Sequence, residues 1–134
     1  MYSFLLLAAT ASLTPPLEPL KGQLQSAIWA DLQLNAIIGN GNWLASLWYN
    51  AGSETAPDLH VRELMCSQDG LVQRCSFVLH RDGGPKEAMG EAAPDALICS
   101  ADFVRTDDGW AISHTPPRKV GHSQTSMQCD ILKQ

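Results

Sequence analysis

The stretch Leu59–Arg81, LHVRELMCSQDGLVQRCSFVLHR, reads as two β-strands folded about a turn. In its second half Leu71, Cys75, Phe77 and Leu79 share one face, while Arg74, Ser76 and His80 point the other way, the period-2 pattern of a half-buried strand. Asp69–Gly70 is a hairpin signal, because glycine supplies the positive φ that tight two-residue turns need. A tight turn there sets Cys66 opposite Gln73 and makes Cys75 its diagonal neighbour. Diagonal neighbours lie about 7–8 Å apart, beyond comfortable disulfide reach. A looser loop from Ser67 to Arg74 brings the two cysteines face to face.

Downstream, Leu97 to Thr106 alternates again, with Leu97, Cys99, Ala101 and Phe103 inward and Ser100 and Asp102 outward. Asp108–Gly109 turns the chain into WAISH, a register that puts Ile112 opposite Arg105 and His114 opposite Phe103. The connection GGPKEAMGEAAPD is rich in glycine and proline. Upstream, Leu20, Leu24, Ala27, Ile28 and Leu32 recur at helical spacing over 20–38, with Pro19 at the front and Gly39 as the stop. WLASLWYN, after the hinge GNGN, fits a short strand or a helical turn, and AGSETAPD is a loop. The expected fold is α+β: one N-terminal helix packed on an antiparallel sheet of about four to five strands, stapled by disulfides.

At 134 residues the chain has room for one domain with a real core. A net charge of −5 argues against a nucleic-acid binder, which needs a basic stripe to release counterions. Residues 1–14 form a candidate signal peptide: Phe4–Leu7 and Ala8–Ala11 are an apolar core, and Ala9 and Ala11 precede a cut near Ser12. This segment lacks a basic start, and it is too short for a stable membrane anchor. The single α+β domain then spans 15–134. Four cysteines in a short exported chain point to two disulfides, and Cys66–Cys75 with Cys99–Cys129 is the more local pairing. The expected location is the bacterial periplasm or the extracellular space. The alternative is a cytosolic domain with four free buried thiols.

Chemistry concentrates in HTPPRKVGHSQTSMQC, His114 to Cys129. Arg118, Lys119 and His122 are the one basic concentration, beside Ser123 as a donor, and they suit a small anionic ligand or an acidic protein partner. A hydrolase reading takes His114 or His122 as base for Ser123 or Ser126, oriented by Asp102 or Asp130. No G-x-S-x-G or S-x-x-K motif supports it. His60 and His80 come near each other across the first hairpin, but no H-E-x-x-H or C-x-x-C spacing marks a metal site, and no cofactor motif occurs. Trp43 and Trp48 are the aromatic candidates for a ligand groove or partner surface. The chain therefore reads as an exported binding module more readily than as an enzyme.

Overall fold

The computed structural model describes residues 13–38, 41–53, 58–82, 87–88, 90–115 and 124–132. Two helices, α1 (Leu20–Ile38) and α2 (Trp43–Ser53), precede the strands. These are β1 (Asp58–Asp69), β2 (Val72–Asp82), β3 (Glu87–Ala88), β4 (Glu91–Ala92), β5 (Ala96–Thr106), β6 (Gly109–Ile112), β7 (His114–Thr115), β8 (Gln124–Thr125) and β9 (Gln128–Ile131). A five-stranded antiparallel sheet runs β1-β2-β5-β6, with β9 also paired to β5; β3–β4 and β7–β8 are small hairpins beside it. The fold is α+β, as the alternation patterns require, with one helix more than expected: WLASLWYN is helical.

Helix α1 forms where the apolar spacing places it. Leu24, Ala27, Ile28 and Leu32 are buried and meet Phe77, Leu79, Leu97 and Phe103 of the sheet in one core. Each fully buried leucine, isoleucine or phenylalanine contributes about 1.5–3 kcal/mol of transfer free energy. The same buried stripe includes two polar residues, Asp31 and Asn35. Asn35 Nδ2 donates to the Asn42 carbonyl at 2.8 Å, while Asn42 Oδ1 accepts from the Ala45 amide at 3.3 Å and so caps α2. Asn42 Nδ2 also lies 3.7 Å from Cys129 Sγ, which links the helical corner to the last strand. Trp48 stacks on Trp29 inside the core, with centroids 6.2 Å apart.

Both long hairpins turn one residue away from the place the sequence marks. Asp69 pairs with Val72, so the first turn is Gly70–Leu71, with φ of 64° at Gly70. Leu71 is consequently 87% exposed and leaves the inward face assigned to it. Arg105 pairs with Trp110 and Phe103 with Ile112, so the second turn is Asp107–Asp108, followed by Gly109 at φ 136°. His114 leaves the ladder to pair with Thr125 instead. Moving a two-residue turn by one position shifts every partner by two, and the inside/outside alternation survives. In β1 the register slips between Arg62 and Met65, with Glu63 at φ 54°, a bulge that reverses the strand's parity. Val61 opposes Leu79 before the bulge, and Cys66 opposes Cys75 after it.

Disulfides join Cys66 to Cys75 and Cys99 to Cys129, each pair directly opposed across its ladder. No described cysteine is free. Two disulfides belong to an oxidising compartment. The first described residues already contribute: Thr14 exchanges backbone hydrogen bonds with Cys66 at 2.9 and 2.7 Å. The C-terminal stretch is more ordered than its polar composition implies, because Met127 is buried and Gln128–Ile131 pairs with β5.

Candidate functional site

The buried carboxylate on α1 organises the most distinctive polar cluster. Asp31 Oδ1 accepts from His114 Nε2 at 2.6 Å, and its Oδ2 accepts from Thr125 Oγ1 at 2.7 Å. The Asp31 side chain is only 5% exposed. A carboxylate taken out of water at such a site costs several kcal/mol unless charge-assisted hydrogen bonds replace its hydration. His114 and Thr125 are register partners, so one helix residue grips both strands of the β7–β8 hairpin. Thr125 Oγ1 also accepts from the Met127 amide at 3.1 Å, which carries the cluster into the buried part of the tail.

Beside this cluster, α1 and β6 enclose a solvent-open crevice of about 170 Å³. Ala27, Ala30 and Leu34 line it from the helix and Trp110 and Ile112 from the sheet, and Asp31 and His114 also belong to the lining. The Trp110 indole N–H is buried and has no acceptor among the described residues. Arg105 lies over the Trp110 ring, its guanidinium carbon 5.7 Å from the centroid.

The expected site residues are dispersed. Arg118, Lys119, His122 and Ser123 lie outside the described residues. The Ser126 hydroxyl is committed to the Asp102 backbone, accepting from its amide at 3.1 Å and donating to its carbonyl at 3.2 Å. Asp102 turns its side chain toward Arg74, 3.8 Å away, and Asp130 is exposed on β9. The carboxylate that orients His114 is Asp31, which neither pattern nor motif singled out. Its one sequence signal is an acidic residue at the i+3 and i+7 positions of an otherwise apolar stripe through Leu24 and Ile28.

Trp48 is a core residue whose Nε1 donates to the Asp95 carbonyl at 3.2 Å. Trp43 is 55% exposed, and its Nε1 donates to Glu91 Oε2 at 2.8 Å, tying α2 to the β3–β4 hairpin. The two tryptophans therefore line no common groove. His60 and His80 are direct partners on the outer face of the hairpin, and both approach Asp82, at 3.1 and 3.0 Å. The His80 contact is not aligned for a hydrogen bond. Arg62 joins at 3.6 Å, a half-exposed ion pair with Asp82 of small energetic weight. Among the described residues no group of three or more His, Cys, Asp or Glu is arranged to hold a metal ion. Buried Arg81 donates from Nη2 to the Ala93 and Pro94 carbonyls and to Asp95 Oδ1, fastening the turn that leads into β5.

No helix among the described residues is long and apolar enough to cross a membrane. Comparison with protein-family models, curated proteins and solved structures finds no match to this chain.

Proposed function

We propose that this chain is an exported binding module whose ligand site is the crevice between α1 and β6. Export is supported by the apolar start, by Ala9 and Ala11 ahead of Ser12, and by two disulfides. A cut before Ser12 leaves Thr14 in place to pair with Cys66. The observation that carries the site is the open, largely apolar crevice itself, lined by Trp110 and by the hydrogen-bonded pair of Asp31 and His114. Ligand sites pair apolar walls with a few fixed polar groups, and here Asp31 and Thr125 hold His114 in place as one of them.

The test is a titration of ¹⁵N-labelled protein, beginning at Ser12, with butyrate and with butyramide at millimolar concentrations. Either probe should move the Trp110 indole N–H resonance, and Ala30→Leu, which fills the crevice, should abolish the movement. A resonance that neither probe moves sinks the site. Mass spectrometry of the unreduced mature protein addresses export separately: it should begin at Ser12 and carry no reactive thiol.

A further inference from the structure

We infer that the chain holds a second site, where α1 begins, for an uncharged ligand that bears a carboxamide. It is separate from the crevice between α1 and β6. The segment leading into α1 and the turn end of the β1–β2 hairpin enclose an open crevice of about 670 Å³, within the span usual for small-molecule sites. Its distinguishing side chain is Gln73. From the turn onward the inward face of β2 runs Gln73, Cys75, Phe77 and Leu79, and of these four only the first is polar. Gln73 is 9% exposed and lines the crevice, and its carboxamide has no hydrogen-bond partner among the described residues. Neither its nitrogen nor its oxygen is shut off from solvent as the Trp110 N–H is, so both are open to a ligand.

Across the ladder Gln73 faces Gln68, whose Nε2 donates to the Gly70 carbonyl at 3.1 Å and whose own side-chain carbonyl has no donor among the described residues. The unmet groups are therefore an amide donor and a carbonyl acceptor on Gln73, with a second acceptor beside them. A ligand carboxamide carries its own acceptor and donor on one planar group, so it answers both atoms of Gln73 together. A carboxylate answers the donor alone, and an ammonium answers the acceptors alone. Charge points the same way. Glu18 is the one charged residue in the lining, exposed, with its Oε2 accepting from the Gly22 amide at 3.3 Å. No Lys, Arg or His belongs to the lining. Arg74, next to Gln73 in the chain, points to the opposite face toward Asp69 and Asp102. An anion would meet Glu18 with no countercharge. A cation would gain only a solvent-screened attraction and would lose more hydration on entry than a neutral amide does.

Succinamide, succinate and 1,4-diaminobutane share a four-carbon chain and differ in charge. Followed through the Gln73 side-chain amide resonances of the ¹⁵N-labelled full chain, succinamide should bind about fivefold tighter than either of the others, or better. Gln73→Met keeps the length of the side chain and removes both polar atoms. Succinamide binding, followed through the Gln68 side-chain amide, should then weaken about tenfold, as expected for two neutral hydrogen bonds. The thermal midpoint of that variant should hold or rise, since an unmet polar group leaves the interior. Ala30→Leu, which fills the other crevice, should leave succinamide binding unchanged. A preference for succinate or diaminobutane, or undiminished succinamide binding in Gln73→Met, would overturn the carboxamide assignment. A lowered midpoint would overturn it too, by showing that the fold itself satisfies Gln73. If none of the three probes moves the Gln73 resonances, there is no site at this end of α1.

Discussion

The β1–β2 hairpin and the C-terminal strand are each closed by a disulfide between directly opposed residues, over very different lengths of chain. Cys66 and Cys75 are 9 residues apart, and a two-residue turn already holds their strands together. Cys99 and Cys129 are 30 apart, and β9 pairs with β5 over only four residues. In the chain-entropy description the shorter loop is worth about 2.6 kcal/mol and the longer about 3.6 kcal/mol. The difference teaches that similar bridges take different roles. The first reinforces a ladder that the hairpin already forms. The second joins the end of the chain to the centre of the sheet, with Asn42 Nδ2 in contact with its sulfur.

The comparison breaks most visibly at the longer bridge. Replacing Cys99 and Cys129 together by Ser should lower unfolding free energy by about 3.6 kcal/mol in denaturant titrations. It should also increase protease cutting between Pro117 and Gln128. Unchanged cutting would mean that Met127 and the β9 ladder hold the tail without the sulfur. Replacing Cys66 and Cys75 by Ser should cost less, about 2.6 kcal/mol, with the tail as resistant to protease as before. Equal losses from the two pairs would end the distinction.

A smaller effect sharpens it. Asp31→Ala deprives His114 and Thr125 of their shared acceptor and should cost about 2 kcal/mol, within the range for stranded buried donors. Hydrogen exchange locates that loss. The Ser126 amide, bonded to the Ser113 carbonyl at 2.8 Å, should lose protection, while the amide of Cys75 keeps its own. If both amides lose protection alike, Asp31 supports the whole core and is no local clasp.

These regions also differ in how far they could be read from the chain. Helix α1 and the inward faces of β2 and β5 were legible because period-2 and helical spacing report directly on burial, as Phe77, Leu79, Cys99 and Phe103 illustrate. The disulfide pairing followed from locality. Exact partners were not legible, since a turn at Gly70–Leu71 or at Asp69–Gly70 leaves the same residues inside. The helix at Trp43–Ser53 was ambiguous because eight residues with few breakers fit either period.

The site was mostly illegible. Asp31 and His114 are 83 residues apart, and only the tertiary fold brings a helix carboxylate to the foot of a C-terminal hairpin. The sequence marked His114 but offered Asp102 and Asp130 as its partners, two residues whose side chains the sheet turns elsewhere.

The slip between Arg62 and Met65 carries a consequence for life at high concentration. Strand β1 is the outermost member of the sheet's strand order, its rim beyond Glu63 is already engaged where Thr14 bonds to Cys66, and the bulge at Glu63 breaks the register a second molecule would have to extend. No straight incoming strand can satisfy both halves, so the kink discourages the stacking from which fibrils grow. The fold thus carries its protection against edge-to-edge pairing in the backbone of β1 itself, apart from the bridge that ties β9 to β5.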